Sequence, residues 1–325
     1  MSFSLLGTGS PLLDIQLQVT DEFLREHVPG NKGGMEPVTT EVIDKIVSKS
    51  PFLPLFFPGG AAGNTVFALS RFGVKCALRG KLGCDAYKEK YFEFARRHNV
   101  DTSQLVISGE GRSGCCLALV TPDAERTMRS ALGVSLKLNE SDIVNAAYSD
   151  YDAVLVEGFM AYSGMLELMV KSAKKHNCFV IFDLASFEIA GKFRELFITL
   201  MPYIDMVVAN SSEAAAFTGK SDPHESLAEL KKFVSTAVVK CGADGVLFAN
   251  DKEEFSIPAY PPERLVDTTA AGDLWLAGYI YGRNCGVSER VAVEYGTMFS
   301  AKIIAHSGSV LTDEDIEELK VLLRR

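Results

Sequence analysis

The sequence lacks the patterns that define several large classes of protein. It contains seven cysteines but no Cys-x-x-Cys pair and no cysteine–histidine cluster with the spacing of zinc ligands. No run approaches the roughly 20 apolar residues of a membrane-spanning helix. The N-terminus has no basic stretch followed by an apolar one. We therefore expect a cytoplasmic protein with reduced thiols and no membrane partner.

Positive charge is also in deficit. The chain has 33 lysines and arginines against 42 aspartates and glutamates, a net charge of −9. An acidic surface repels phosphate backbones, so nucleic acid is not an expected partner, although a local pocket of opposite sign can still bind a small anion. The 325 residues, 47% hydrophobic and 23% charged, are typical of a soluble globular protein and exclude a disordered chain.

The C-terminal two-thirds alternates short apolar runs with helical patterns. The runs are 152–157 (DAVLVE), 178–183 (CFVIFD), 205–209 (DMVVA) and 236–240 (TAVVK). Helical spacing follows at 165–176, 192–203, 226–234, 272–282 and 288–306. Continuous apolar strands separated by helices predict a doubly wound α/β fold, whose mainly parallel sheet is covered on both faces.

The N-terminal third has a different pattern. Residues 14–19 and 115–120 alternate apolar and polar side chains, which is typical of strands with one open face. We expect a small β-sheet lid, built from segments at about 11–45 and 111–133 and inserted in one domain that spans 1–325. Because such a sheet can pair with a second copy or have blocked edges, the chain is compatible with a monomer or a homodimer.

The most informative motif is DTTAAGD at 267–273, which leads into a helix. Small residues at a helix start let backbone N–H groups approach an anion, and the helix dipole adds partial positive charge there. A carboxylate beside an anion is unfavourable unless it accepts a proton. Asp273 is therefore a candidate general base for phosphoryl transfer. The alternative is an ordinary first-turn aspartate favoured by the dipole.

Two further helix starts carry polar side chains. Asn64, within GGAAGNTVFALSRFG at 59–73, is a candidate for binding substrate hydroxyls or for capping the helix. In NSSE at 210–213, directly after a strand, Glu213 is a candidate to hold Mg²⁺ through water, with Asn210 orienting it. The alternative for this second motif is a helix start capped by Ser211 or Ser212.

Weaker signals come from glycines and from one lid carboxylate. Gly242 and Gly245 permit a tight loop after a strand, suited to lie under a nucleotide. GTGS at 7–10 lacks the third glycine and the helix of a dinucleotide fingerprint, which argues against a Rossmann dehydrogenase. Asp14, on an alternating strand, can accept sugar hydroxyls or simply be solvated.

Together these motifs resemble the ribokinase/PfkB family of carbohydrate and nucleoside kinases. The family's D-T-x-G-A-G-D signature is similar to 267–273, its N-terminal glycine/asparagine signature to 59–73, and its N-x-x-E motif to 210–213. Within the family, GSPLLDI at 9–15 and MPYIDMVVANSSEAAAF at 201–217 resemble adenosine kinases, and PDAERTM at 122–128 resembles a lid hairpin of bacterial adenosine kinase-like members.

The resemblance implies that ATP phosphorylates a primary hydroxyl, such as the ribose 5′-OH of a nucleoside, with Mg²⁺ and, in many members, K⁺. It assigns the following roles by position: Asp273 as the base; the backbone of Ala270, Ala271 and Gly272 as the anion hole; Arg126 near the transferred phosphoryl group; Asp14, Gly60, Asn64 and Phe159 for the acceptor; Asn210, Lys240, Gly242 and Gly245 for the nucleotide; Glu213 for the metal. Phe159 would stack on a base, or otherwise pack in the core.

Two positions depart from the family pattern and keep alternatives open. Ala270 replaces the first signature glycine, which is harmless if its φ is negative and costs roughly 1–2 kcal/mol if it is positive. This replacement leaves a non-catalytic nucleotide-binding regulator as one alternative function. Ser10 replaces an asparagine of adenosine kinases, and a ribose or fructose kinase is the other alternative. The apolar lid residues Leu12, Leu13, Cys115 and Leu117 favour a nucleoside.

Overall fold

The computed structural model describes residues 3–123 and 125–323. In chain order its strands are β1 (Leu5–Thr8), β2 (Leu12–Gln18), β3 (Met35–Pro37), β4 (Leu55–Gly59), β5 (Cys76–Arg79), β6 (Lys81–Leu82), β7 (Val106–Ile107), β8 (Gly114–Val120), β9 (Arg126–Ala131), β10 (Ala153–Glu157), β11 (Phe179–Asp183), β12 (Met206–Asn210), β13 (Thr236–Lys240), β14 (Val246–Asn250) and β15 (Glu254–Ile257).

The helices are α1 (Asp21–His27), α2 (Thr40–Lys49), α3 (Ala61–Arg71), α4 (Ala86–Arg97), α5 (Glu140–Val144), α6 (Leu166–Lys175), α7 (Phe187–Lys192), α8 (Arg194–Leu200), α9 (Ser211–Thr218), α10 (Pro223–Leu230), α11 (Ala271–Cys285), α12 (Glu289–Ile303) and α13 (Asp313–Leu322). Short 3₁₀ turns lie at Tyr148–Asp150, Gly158–Ser163, Met201–Tyr203 and Gly242–Asp244. Within the described ranges, no helix is long and apolar enough to cross a bilayer.

The large sheet has eight strands in the order β15-β14-β13-β12-β11-β10-β1-β5. All its strands run in one direction except β14, which is antiparallel to both its neighbours, β13 and β15. Successive residues of one strand point to opposite layers: Leu5 belongs to the core under α3, α11 and α12, whereas Leu6 belongs to the core under α6 and α9. Both are fully buried, which confirms the doubly wound α/β prediction.

The small sheet has the order β3-β9-β8-β2-β4. Four of its strands lie in the segments predicted for the lid, while β4 (Leu55–Gly59) lies beyond them. One face packs on α1, α2 and α4 through the third buried cluster, which includes Leu24 and Ile43. The opposite face covers the carboxyl edge of the large sheet.

The helix predictions at 192–203 and 226–234 depart most from the structure. The first range holds the last residue of α7, then α8, and then the 3₁₀ turn Met201–Tyr203, with a break at Phe193. The helix predicted at 226–234 begins at Pro223 because the Asp222 side chain accepts from the N–H groups of His224 and Glu225, and it ends at Leu230. Thr312 and Asp315 form a capping box at the start of α13.

Candidate active site

The polar side chains at the ends of neighbouring parallel strands meet at one edge of the large sheet. Glu157 ends β10, Asp183 ends β11, Asn210 ends β12 and Lys240 ends β13. The register pairs Glu157 with Asp183, and Asn210 with Lys240. Since ligands of open α/β sheets bind outside the carboxyl ends of the strands, this edge is the expected binding site.

The N-terminus of α11 points into this edge. Its cap, Ala270, has φ 59° and ψ 6°, the left-handed conformation, and no side chain caps the helix. The departure from glycine therefore falls at a position where an L-residue is strained. Ser300 Oγ donates to the carbonyl of Ala271 at 2.8 Å and fixes the first turn against α12. The backbone N–H groups of this first turn form an anion-binding end of the helix.

Asp273 is the third residue of α11 and is held by a defined partner. Asn64 Nδ2 donates to Asp273 Oδ2 at 2.8 Å. Burial, with Asp183 nearby, raises the pKa of Asp273 from 3.8 to about 7, while Asn64 and Lys240 act in the opposite direction. A carboxylate with this pKa accepts a proton effectively near neutral pH.

Of the two roles that the sequence left open for Asn64, the structure contradicts the helix cap. Asn64 lies inside α3, where its own N–H donates to the Gly60 carbonyl, so it is not a cap; Gly60 is the cap. Its Nδ2 orients Asp273, and its Oδ1 is buried without a partner among the described residues. A buried acceptor of this kind is costly unless a ligand satisfies it. Asn64 Oδ1 is thus available to accept a hydrogen bond from a bound molecule.

Asp14 faces the cleft from the lid strand β2. It lies directly over Gly59, where a Cβ would stand 2.5 Å from Asp14 Oδ1. Burial raises the pKa of Asp14 to about 7, and Arg126 opposes this effect. The carboxylate is therefore not simply solvated. Gly60, next to Gly59, has φ 91° and approaches the Ser10 carbonyl so closely that a side chain there would clash.

Arg126 joins the lid to the anion-binding loop. It begins β9, rather than lying on the turn, and its guanidinium pairs with Asp267 and donates to Thr269 Oγ1 at 2.5 Å. Its Nε is buried without a partner in the described part of the chain. Gln16 Nε2 also donates to Ser307 Oγ at 2.8 Å. These contacts hold the lid closed over the site.

Of the four apolar lid residues that favoured a nucleoside, Leu12 faces the cleft and the other three do not. Leu13, Cys115 and Leu117 are at most 1% exposed and pack in the cluster under α1 and α2. That interpretation was wrong, because successive residues of a strand alternate between faces and these three share the face opposite Asp14. Residues of the cleft face include Leu12, Asp14, Gln16, Phe57, Cys116 and Arg126.

Asn210 and Glu213 form a reciprocal capping box at the start of α9. Asn210 Oδ1 accepts from the Glu213 N–H at 2.9 Å, while Glu213 accepts from Asn210 N at 2.7 Å and from Asn210 Nδ2 at 2.6 Å. The cap is therefore Asn210, not Ser211 or Ser212. Burial and Asp183 raise the pKa of Glu213 to about 7.

A directly bound metal does not fit these residues. No group of three or more histidine, cysteine, aspartate or glutamate side chains gathers as a metal site within 3–123 and 125–323. Both Glu213 oxygens already accept hydrogen bonds from Asn210. The donor set fits Mg²⁺ held by nucleotide phosphates and contacted by Glu213 through water, a mode that Mg²⁺ favours.

The remaining candidates lie around the same edge. Gly242 (φ 60°) and Gly245 (φ 92°) form a tight loop beside Lys240, and a side chain on Gly245 would stand 2.1 Å from the Ile257 carbonyl. Lys240 Nζ lies 3.5 Å from Asp183 Oδ2. Phe159, in the 3₁₀ turn after β10, is half-buried and packs against the core, the alternative to stacking on a base.

Sequence reasoning missed two acids that build the site. Glu157 is buried and accepts from Ser10 N at 2.6 Å and from Ala62 N at 3.0 Å, so it ties the β1–β2 loop to the start of α3. Asp183 accepts from the Ala185 N–H at 2.7 Å and pairs with Lys240. Each is the last residue of an apolar run. An acid at the carboxyl end of a predicted parallel strand is therefore the sequence signal by which both could have been found.

Comparison with known proteins places this chain among kinases. The model of the pfkB family of carbohydrate kinases matches residues 53–316. The chain belongs to this family, as its motifs predicted. It is 28% identical to an adenosine kinase of Schizophyllum commune, over 91% of this chain and 93% of the relative. It is 23% identical to a ribokinase of Staphylococcus aureus, over 81% and 87%.

Solved structures share the whole fold. An adenosine kinase from Sinorhizobium meliloti superposes with a TM-score of 0.86 at 24% identity, covering 99% of this chain and all of the other. A probable sugar kinase from Rhizobium etli gives 0.87 at 24% identity and 99% of each chain. The predicted enzyme class, a kinase, is confirmed by the family and by the names of these relatives.

Proposed function

We propose that the protein transfers the γ-phosphoryl group of ATP to a primary hydroxyl of a nucleoside, the ribose 5′-OH being the expected acceptor. The observation that carries this proposal is Asp273, held by Asn64 at the N-terminus of α11 with a pKa of about 7. The adenosine kinase relative and the GSPLLDI segment support a nucleoside as the acceptor.

The chemistry follows from the positions of the side chains. The acceptor hydroxyl gives its proton to Asp273 as its oxygen bonds to the γ-phosphorus, and the bond to ADP breaks. The N–H groups of Gly272 and Asp273 and the guanidinium of Arg126 offset charge on the phosphoryl oxygens. Mg²⁺, when bound to the phosphates, neutralises part of their charge. Asp14 and Asn64 Oδ1 hold acceptor hydroxyls, and lid closure excludes water.

The base of ATP has a candidate site beside the loop that leads into the anion-binding motif. A cavity of about 710 Å³ is lined by Tyr260, Pro261, Pro262, Ala301, Ala305, Val321 and neighbouring side chains. The loop from Tyr260 runs directly to Asp267, and the Val266 N–H donates to the Ile304 carbonyl at 2.8 Å. An apolar slot next to an anion site suits a nucleotide.

A specific observation favours a sugar kinase as the second candidate. On the cleft face of the lid, Asp14, Gln16 and Arg126 are polar, and Gln16 is engaged with Ser307. A free sugar needs polar partners around its ring, whereas a base needs an apolar or aromatic surface. The polar face therefore supports a ribose or fructose acceptor on the same scaffold.

The test is ADP release from Mg·ATP against a panel of nucleosides and sugars, with and without potassium. Turnover with adenosine or another nucleoside supports the first candidate, and turnover with a free sugar alone supports the second. Loss of turnover on removing potassium supports a monovalent cation beside Asp267. ATP binding without turnover on any acceptor would refute both kinase assignments and favour the non-catalytic regulator that Ala270 left open.

A further inference from the structure

The ammonium group of Lys240 lies beside the N-terminus of α11. Its side chain is 14% exposed, and Nζ is 3.5 Å from Asp183 Oδ2. A Cβ on Gly272 would stand 2.7 Å from this Nζ. A side chain at 272 would therefore displace the ammonium from its present position against the first turn of the helix.

A positive charge at this position is unfavourable in isolation. A helix N-terminus carries a partial positive charge of about 0.5, so a cation there is repelled, and burial costs it hydration. Burial lowers the pKa of Lys240, but Asp183, Glu213 and Asp273 together raise it above its ordinary value. The ammonium is thus kept charged by three carboxylates while facing the end of a helix that attracts anions.

Three positive elements lie around the start of α11. The first turn of α11 supplies N–H groups, Arg126 approaches from the lid through Asp267 and Thr269, and Lys240 approaches from β13. A helix end surrounded by two fixed cations suits a ligand group of high negative charge. A terminal phosphate meets this description better than a sugar or a base.

We propose that Lys240 is a catalytic residue whose Nζ binds the oxygens of the γ-phosphoryl group during transfer; this inference rests on the proposed function. The acceptor oxygen forms its bond to phosphorus, and the bond to the bridging oxygen breaks with its electron pair left on ADP. The hydroxyl proton goes to Asp273. Lys240 keeps its protons and stabilises charge on the transferred group.

A purely structural role predicts different behaviour. If Lys240 only neutralises Asp183 and Glu213, its removal perturbs ATP and ADP binding alike, through the shape of the site. If it contacts the γ-phosphoryl group, its removal weakens binding of the triphosphate selectively, since ADP lacks that group.

The experiment compares the dissociation constants of Mg·ATP and Mg·ADP for the wild type, Lys240→Met and Lys240→Arg. We expect Lys240→Met to raise the Kd of ATP about tenfold, a step worth ~1.4 kcal/mol, with little change for ADP. We expect its kcat to fall roughly 10²–10³-fold, with partial recovery in Lys240→Arg. Lys174→Met removes a lysine paired with Asp205 at the opposite edge of the sheet and should change neither affinity.

Equal weakening of ATP and ADP, or a kcat close to that of the wild type, would overturn the assignment. If Lys240→Met does not fold, the double variant Lys240→Met with Asp183→Asn keeps the charge balance, and the same comparison is made on it. The binding comparison needs no acceptor. The two proposals can therefore fail separately. If Lys240→Met weakens ATP binding selectively but the wild type phosphorylates no acceptor, the proposed kinase function is refuted and the contact between Lys240 and the terminal phosphate stands.

Discussion

Replacing Asp273 by asparagine should remove turnover and stabilise the fold at the same time. Above about pH 7 the native protein carries an ionised carboxylate in surroundings that favour the neutral acid, because burial and Asp183 raise its pKa to about 7. Asparagine has nearly the same shape, cannot accept the proton, and still presents an oxygen to Asn64 Nδ2. The substitution thus separates the chemical role of the carboxylate from its cost to folding.

The magnitude follows from the change in pKa from 3.8 to about 7. At ~1.4 kcal/mol per tenfold change, the ionised form costs at most roughly 4 kcal/mol at alkaline pH. Water at the cleft and the lost attraction of Lys240 reduce the expected gain to about 1–3 kcal/mol. Loss of a general base should lower kcat about 10²–10⁴-fold.

The assay is urea unfolding at pH 5 and pH 8, together with ADP release on the best acceptor. Because the folded-state pKa of Asp273 is raised, its contribution to stability is present below about pH 4 and is lost as the pH rises through about 7. The asparagine variant should gain more stability at pH 8 than at pH 5, where roughly a third of the effect remains. A gain that is equal at both pH values would refute the burial argument, and near-normal turnover would refute the base.

Asp315→Asn is the matched control. This carboxylate is also buried, but it lies outside the cleft, where it accepts from Thr312 N and Oγ1 in the cap of α13. We expect the opposite pattern, with lower stability and an unchanged kcat.

Three further predictions concern the loop, the lid and the cavity. Ala270→Gly relieves a left-handed alanine, worth roughly 1–2 kcal/mol, against about 0.5–1 kcal/mol of added chain entropy. Urea unfolding should show a net gain of roughly 0–1.5 kcal/mol, as for Ala185→Gly at φ 70°; a clear loss would contradict the strain. Arg126→Gln leaves the buried Asp267 unpaired, so both the Tm and, about 100-fold, kcat should fall; a normal kcat would remove Arg126 from the transfer step. Tyr260→Ala should raise the KM for ATP several-fold without changing the KM for the acceptor. Equal changes in both would show that the adenine of ATP does not bind in this cavity.

Much of the fold was predictable because its information is local. A buried parallel strand is a short apolar run, and the helix after it has its own period, so the α/β class is readable from segments such as 178–183. The membership of β4 was not readable, since Leu55–Gly59 contains a proline and its place is set by pairing with β2, about 40 residues away. Helix ends were misplaced where a side-chain cap, such as that of Asp222, outweighs the apolar pattern.

In the candidate site, too, single residues were predictable from local sequence and their partners were not. Asp273 and Asn64 stand out in the sequence as polar residues in small-residue motifs, yet their mutual hydrogen bond joins positions 209 residues apart. For Ala270 the sequence allowed only a conditional statement, with one outcome for a negative φ and another for a positive φ. The φ angle itself, which is positive, cannot be read from the sequence. Glu157 and Asp183 were read as strand ends, and their chemistry depends on which strands become neighbours.

The argument from apolar lid residues to the acceptor failed because it used their composition and ignored which face of the strand each side chain occupies. Placing Asp14 on the cleft face already assigns Leu13 to the other face, since side chains alternate with period two. The apolar residues of β2 therefore hold the lid helices rather than the substrate. The alternation of side chains does not tell which residue of the adjacent strand lies beside Asp14. That residue is Cys116, and it is placed there by the β2–β8 register, which joins segments 102 residues apart. Acceptor choice consequently depends on a surface that long-range pairing assembles, and substitutions at Asp14, Gln16 or Cys116 should alter it more than changes at Leu13 or Leu117.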